Sequence, residues 1–209
     1  TPSPPRIKEG SVYSDEMILD VSLGKYCDLI PVESYAAMAG REGLKDLPPQ
    51  SLIECTHNLA EFVYRAYERL KKEIVESRIL HADETPHRML EGSEKMSWYL
   101  WGFSNSKTSY YEIRDTRSGD VASDLLVDSK CEYLMSDVFS GYGKAVKTTN
   151  ERRAEKDKRL PKIRNIYCNA HARRKFKEAQ DVFPDAQFFI DRYKEIYQLE
   201  ATPDDDLPD

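Results

Sequence analysis

The spacing of apolar residues changes near residue 78, and this change limits the folds open to the chain. From 51 to 77 apolar side chains recur every three or four positions, which predicts one long amphipathic helix. After it come WYLWGFSN (98–105) and SYYEIRDT (109–116), whose aromatic and β-branched residues are typical of strands. The chain therefore joins a helical N-terminal part to a part that contains a sheet.

The order of the predicted elements after this change indicates a mixed sheet. A first strand is predicted at 78–83, the two aromatic segments are the second and third, and 133–137 and 163–168 are the fourth and fifth. Helices are predicted at 120–128 and 141–160, between the last strands. A meander followed by α/β crossovers builds a mixed sheet with helices on its faces. Ribonuclease-H-like domains have this order, so we expect a mixed α/β fold with a ribonuclease-H-like five-stranded mixed sheet flanked by helices.

Helices are also predicted before the sheet. Two short ones cover 17–31 and 32–44, and Ser51 with Glu54 has the spacing of a capping box at the start of the long helix. The short helices carry acidic side chains, which disfavour binding in a DNA groove. We expect them to serve packing or assembly.

Composition and charge limit the class of protein. The 209 residues are 40% hydrophobic, which allows a large core. No stretch of about 18 apolar residues and no signal-peptide pattern occurs, so we expect a soluble cytoplasmic protein. The net charge is −6, but residues 151–175 are dense in lysine and arginine and 203–209 are acidic. A local basic surface can bind phosphate although the total charge is negative.

The cysteines are spread at wide intervals, at positions 27, 55, 131 and 168. This spacing favours reduced, mostly buried thiols over a disulfide framework. Cys168 and His171 have a spacing compatible with zinc, with Cys55 and His57 as imaginable partners. Tetrahedral zinc sites usually have two closely spaced ligand pairs, so we prefer a buried strand thiol for Cys168.

Two aspartates end predicted strands, Asp83 the first and Asp137 the fourth. If these strands are neighbours, both carboxylates emerge at one edge of the sheet, where ligands of open α/β sheets commonly bind. Carboxylate oxygens suit Mg²⁺ or Mn²⁺. A pair of such ions, about 3.5 to 4 Å apart, can promote an in-line phosphoryl displacement.

Each aspartate taken singly has a simpler explanation. An aspartate after a strand is often a turn former or a helix N-cap, and Asp83-Glu84-Thr85-Pro86 fits either role. Spacing alone favours this explanation for each, and the pair favours the metal site without deciding it. His81 shares the strand face of Asp83, so we expect it either at the site or in the core.

Four segments resemble, in the same order, hallmark sequences of the insertion sequence 66 family of DDE transposases. They are LHADETP (80–86), YLWGF (99–103), SDVFSGY (136–142) and CNAHARRKF (168–176). In addition, KYCDLIPVE (25–33) resembles the stretch that precedes the catalytic domain of that family.

The resemblance implies a ribonuclease-H-like fold and two-metal cleavage and transfer of DNA strands. It makes Asp83 and Asp137 the first two residues of an acidic triad that binds Mg²⁺ or Mn²⁺. It also implies DNA partners (transposon ends and target), self-association in a DNA complex, no membrane, and a bacterial cytoplasmic location at the nucleoid.

The third acidic residue of that triad has no match. In the family it is a glutamate after a helical insertion, in a segment of the type Asn-Asn-x-x-Glu-Arg. We interpret Asn150-Glu151-Arg152, which precedes the fifth strand, as a solvated helix face. Glu178 is the better candidate, although we expect an ordinary helix residue. The sequence therefore predicts a fragment that is catalytically incomplete on its own.

A cationic cluster of Arg173, Arg174 and Lys175 follows the fifth strand, with His171 just before it. Surface charge at a helix start is its simplest explanation. With a DNA substrate, contact with backbone phosphates becomes the better one, and His171 would lie near the DNA.

We expect three parts: a leader and N-terminal helical region at 1–77, a ribonuclease-H-like catalytic core at 78–171, and the start of a helical insertion with an acidic tail at 172–209. The last part is predicted to be helical, with an interruption at Pro184. The leading hypothesis is a DNA transposase. A metal-dependent nuclease of the same fold and a non-catalytic DNA-binding or assembly module derived from a transposase are the alternatives.

Overall fold

The computed structural model of the chain describes residues 6–89, 97–156 and 159–201. The chain divides into two units, Thr1–Arg69 and Leu70–Asp209. The acidic tail and the first five residues of the predicted leader lie outside the described residues. The predicted division into three parts stays a prediction.

The first unit consists of helix α1 (Asp15–Tyr26), helix α2 (Val32–Arg41) and most of helix α3 (Pro49–Val75). Ser14 caps α1, because its Oγ accepts a hydrogen bond from the Met17 amide at 3.2 Å. The core of this unit is formed by buried residues from all three helices: Ile18, Val21, Val32, Leu52 and Cys55.

Helix α3 begins two residues before the predicted capping box. The amides of Ser51 and Leu52 donate to the Pro48 carbonyl, so Ser51 lies inside the first turn and the prediction that it caps the helix is wrong. Pro49 is the first helical residue, where a missing amide is harmless and the fixed φ of proline suits the helix.

The second unit contains a five-stranded mixed sheet. Its strands are β1 (Ile79–Arg88), β2 (Ser97–Ser104), β3 (Ser109–Arg114), β4 (Tyr133–Ser136) and β5 (Arg164–Tyr167). They lie in the order β3-β2-β1-β4-β5, with antiparallel pairing from β3 to β1 and parallel pairing from β1 to β5. The predicted mixed α/β class is confirmed, and the arrangement is consistent with a ribonuclease-H-like fold.

The helices of the second unit follow the predicted order. They are α4 (Gly119–Leu126), α5 (Ser140–Lys156), α6 (Asn169–Ala179) and α7 (Ala186–Glu200). Helices α4 and α5 lie in the connections that enter β4 and β5. Helix α6 starts earlier than predicted, at Asn169, and the interruption expected at Pro184 is confirmed.

Alternate residues of the sheet lie on a covered face and an open face. Leu80, Trp101 and Phe103 are fully buried on the covered face. There the Trp101 ring meets the ring of Tyr142 on α5 edge-on, with 5.9 Å between centroids. On the open face Tyr111 is about half exposed. Side chains on the open face, such as that of Tyr111, are therefore accessible to a ligand.

A buried arginine connects these elements. Arg153 on α5 is 2% exposed. Its guanidinium donates to five backbone carbonyls, those of Leu126, Val127, Ser129, Cys131 and Pro161. The first two end α4, where carbonyls lack helical partners and the helix dipole favours a cation. Arg153 therefore joins the end of α4 to the connections that enter β4 and β5.

We expect Arg153→Met to lower the free energy of unfolding by about 3 kcal/mol or more, because several buried carbonyls lose their donor. Arg152→Met, at the preceding position, removes an exposed ion pair with Asp124 and should cost under about 1 kcal/mol. Urea unfolding followed by circular dichroism measures both variants. Small, equal losses would contradict the role given to Arg153.

Candidate functional site

The parallel pairing of β1 with β4 ends shortly before the two predicted aspartates. The last paired residues are His81 and Met135, and Asp83 and Asp137 each follow two positions later, Asp137 directly after the end of β4. Neighbouring strands of a sheet are about 4.8 Å apart. The two aspartates therefore follow neighbouring strands at the same edge of the sheet.

Asp83 does not end its strand, and the prediction that it does is wrong. Strand β1 continues to Arg88 because its antiparallel partner β2 runs beside it as far back as Ser97, whereas β4 on the other side ends at Ser136. A turn or helix cap at Asp83 is also wrong, because the chain stays extended there. Asp83 lies instead where β1 extends beyond β4.

One oxygen of each carboxylate is held by a backbone amide. Oδ1 of Asp83 accepts from the Glu84 amide at 3.0 Å, and Oδ1 of Asp137 accepts from the Phe139 amide at 2.9 Å. The second contact forms the turn before α5, so Asp137 is also a turn former. Within the described ranges, the other oxygen of each carboxylate makes no hydrogen bond.

A cavity of about 330 Å³ lies on the open face of the sheet. Its lining includes His81, Asp83, Thr85, Tyr111, Cys168 and His171. His81 therefore lies beside Asp83. Cys168 is half-buried just after β5, so the prediction of a buried strand thiol is wrong. The Nδ1 atom of His171 is buried and has no hydrogen-bond partner among the described residues.

A buried polar cluster that the sequence analysis missed lies on the covered face behind the aspartates. The Glu84 side chain is 1% exposed. Its Oε2 accepts from the Tyr142 hydroxyl at 2.5 Å, and its Oε1 accepts from Arg117 Nε at 2.8 Å. The Arg117 guanidinium lies over the Phe139 ring, 4.1 Å from the centroid. The cluster joins β1 to the first turn of α5 and to the residue just before it.

The protonation of this cluster follows from its contacts. Burial, and then the hydrogen bond to Glu84, raises the pKa of the Tyr142 hydroxyl, which therefore stays protonated and donates. The hydrogen bond to Glu84 likewise raises the pKa of Arg117.

The sequence held only one signal for this cluster. Side chains alternate along a strand, so Glu84 had to point away from the face of Asp83, and β-strand periodicity could have shown this. Arg117 lies in the connection before α4, at a position that no periodicity predicts.

The basic residues after β5 lie on α6. Arg173, Arg174 and Lys177 line a cavity of about 450 Å³ together with Tyr197 of α7. Lys175 is not among the lining residues. Two residues of the predicted cluster therefore share one surface with a lysine and a tyrosine that the sequence analysis did not select.

The two in-chain candidates for a third carboxylate are helix residues. Glu178 pairs with Lys175 at 2.7 Å, and this hydrogen bond lowers the pKa of Glu178. Glu151 is exposed on α5, as predicted. Asn150 departs from the predicted solvated face, because its side chain bonds both the amide and the carbonyl of Ile163.

Among the described residues, no group of three or more His, Cys, Asp or Glu side chains is arranged to hold a metal ion. The zinc alternative at Cys168 and His171 therefore has no support there. Asp83 and Asp137 supply two hard carboxylate donors, each with one oxygen that makes no hydrogen bond to a described residue. This pair fits part of the coordination shell of Mg²⁺ or Mn²⁺, which water and phosphate oxygens commonly complete.

A comparison of the sequence with models of protein families shows which family the chain resembles. A model described as the transposase IS66 family matches residues 10–207. The chain belongs to this transposase family. A search of curated proteins found no match. Membership of the IS66 family implies interaction with DNA and confirms the resemblance of the four ordered segments.

None of the described helices of this IS66-family chain combines the length and the apolar composition that a membrane span requires.

Gly119, at the start of α4, tests how tightly the turn after Asp137 is held. A Cβ at Gly119 would collide with the carbonyl oxygen of Gly141 in the first turn of α5. We expect Gly119→Ala to destabilise the protein by roughly 1 to 3 kcal/mol and to displace that turn.

Gly143→Ala is the matched control, because a Cβ at Gly143 meets no atom within 4 Å. In a helix interior it should stabilise by about 0.5 to 1 kcal/mol. Thermal and urea unfolding of both variants would refute the close approach if Gly119→Ala proved as stable as the wild type.

Proposed function

We propose that Asp83 and Asp137 hold Mg²⁺ or Mn²⁺ for the cleavage of DNA strands and the joining of their ends to new DNA, a reaction that also needs the third carboxylate of the triad. The observation that carries the proposal is that Asp83 and Asp137 each follow the last paired residues of β1 and β4 by two positions, at the same edge of the sheet. Ligands of open α/β sheets commonly bind near strand ends. Membership of the transposase family supports DNA as the substrate.

In this proposal the residues of the chain hold the two aspartate carboxylates in place and orient them toward the metal. Asp83 is fixed on a strand of the sheet, and Asp137 is fixed by the turn before α5. The two carboxylates would hold a pair of divalent cations, which would supply stabilisation of the attacking and the leaving oxygen of an in-line displacement at phosphorus. His81, on the same strand face as Asp83, would lie beside the reacting phosphate.

The bond changes of the two steps balance without an oxidant or reductant. In the first step a water oxygen bonds to phosphorus and the bond from phosphorus to the 3′ oxygen breaks, which leaves a 3′ hydroxyl and a 5′ phosphate. In the second step that hydroxyl attacks a phosphodiester of the target strand. The 3′ oxygen of the attacked strand leaves and takes up the proton.

Helix α6 supplies the contact with the DNA backbone. Arg173, Arg174 and Lys177 form a cationic surface that can bind phosphates without reading sequence. His171, on the same helix, lines the cavity that contains Asp83. DNA bound along α6 would therefore lie next to the aspartates. Transfer of an end into a target also requires several DNA segments, so we expect self-association on DNA at the bacterial nucleoid.

Metal binding tests the aspartates directly. We expect calorimetry to detect Mn²⁺ binding by the wild type and at least about a tenfold loss of affinity in Asp83→Ala and in Asp137→Ala. Asp124→Ala, which removes an exposed carboxylate on α4, is the control and should bind as the wild type does. Circular dichroism checks folding. Absent wild-type binding, or equal losses in all three variants, would reject the site.

Product analysis with the same proteins separates the alternatives. Metal-dependent nicking followed by joining of a terminal end indicates a transposase. Nicking without joining indicates a nuclease. DNA binding without nicking is the outcome expected of a non-catalytic module and of a chain in which the third carboxylate is unmatched.

DNA affinity tests helix α6. Arg174→Gln and Lys177→Gln should each weaken binding to duplexes of any sequence, and each should reduce the dependence of log affinity on log salt by about one unit. Lys156→Gln makes the same charge change on α5, where Lys156 pairs with Asp128, and should have little effect. Fluorescence anisotropy at several salt concentrations gives both quantities. A loss confined to Lys156→Gln would contradict the assignment.

A further inference from the structure

The pairing between β1 and β4 stops before it reaches the aspartates. The last paired residues are His81 and Met135, two positions short of Asp83 and Asp137. Backbone hydrogen bonds therefore do not fix the separation of the two carboxylates. Other contacts must hold the turn that carries Asp137 against β1.

The buried cluster on the covered face, which consists of Glu84, Tyr142, Arg117 and Phe139, makes these contacts. Glu84 follows Asp83 on β1, and Tyr142 lies in the first turn of α5. The Tyr142 hydroxyl donates to Glu84 across this gap. Phe139, whose amide holds the Asp137 carboxylate, packs edge-on against the Tyr142 ring with 6.1 Å between centroids. The Arg117 guanidinium lies over the face of the Phe139 ring.

Glu84 is not available as a third ligand at the aspartates. Its side chain points to the covered face and is buried, and each of its oxygens accepts a hydrogen bond, Oε1 from Arg117 and Oε2 from Tyr142. The ion pair with Arg117 at 2.6 Å offsets the cost of burying the carboxylate.

We propose that Glu84, Tyr142 and Arg117 are positioning residues that hold the turn that carries Asp137 against β1 and so set the affinity of Asp83 and Asp137 for a divalent cation. This inference rests on the proposed function, because it takes the two aspartates as the metal ligands. The three side chains act only through Asp83 and through the Phe139 turn that holds Asp137.

Tyr142→Phe is the test, because it removes one hydroxyl and keeps the ring packing. We expect Mn²⁺ affinity to fall by about tenfold, as is typical when a partner of a metal ligand is removed. The electron spin resonance spectrum of bound Mn²⁺, which reports ligand geometry, should change. Backbone amides of residues 137–145 should exchange hydrogen faster.

Tyr110→Phe is the matched control. Tyr110 is also buried, and its hydroxyl donates to Glu112 on the same strand, β3. This variant should keep the affinity, the spectrum and the exchange rates of the wild type. Glu84→Gln is a second variant should Tyr142→Phe fail to fold, since it keeps an acceptor for Tyr142 but loses the ion pair with Arg117. It should bind Mn²⁺ more weakly than the wild type.

The outcomes separate the two proposals. Wild-type affinity and exchange in Tyr142→Phe, or equal losses in Tyr110→Phe, would overturn the positioning role while leaving the aspartate site intact. If the wild type binds no Mn²⁺, or Asp83→Ala binds it equally well, the proposed metal site fails. The exchange rates at 137–145 then decide the positioning role alone: faster exchange only in Tyr142→Phe supports it, and unchanged exchange overturns it.

Discussion

The guanidinium of Arg153 is the contact on which the arrangement of the second unit depends. A cation can be buried there because its donors meet several backbone carbonyls. These carbonyls belong to the end of α4 and to the connections that enter β4 and β5. The Arg153 side chain thus connects the end of α4 to the segments that lead into β4 and β5. Asp137 comes directly after β4, so its position depends on how β4 is placed.

The sequence predicted helices and strands well where a single pattern of apolar or aromatic residues runs through the segment. Strands β2 and β3 stood out by their aromatic residues, and α3 by its three- and four-residue spacing. The predictions were wrong where a neighbouring strand or residue determines where an element begins or ends. Asp83 was expected to end β1 because a turn sequence follows it, yet the strand continues because β2 lies beside it. Ser51 was expected to cap α3, yet proline at the first helical position moved the start.

The candidate site was predictable in part for the same reason. Two predicted strand-end aspartates and a resemblance pointed to Asp83 and Asp137, and each follows the paired part of β1 and β4 by two positions. The cluster behind them was not predictable, because it needs Arg117 from a connection and Tyr142 from a helix to meet one glutamate. The adjacent acids of β1 therefore lie on different surfaces: Asp83 faces the open side and Glu84 the covered one.

The length of β1 beyond β4 has a consequence for association. Among the described residues, β1 past His81 pairs with β2 alone, so its other edge could accept an extended segment of another chain. Pro86 lies in this overhang and has no amide to offer, and the pairing with β2 on both sides of it is kept. A proline at this position would therefore interrupt the ladder that a joining strand needs.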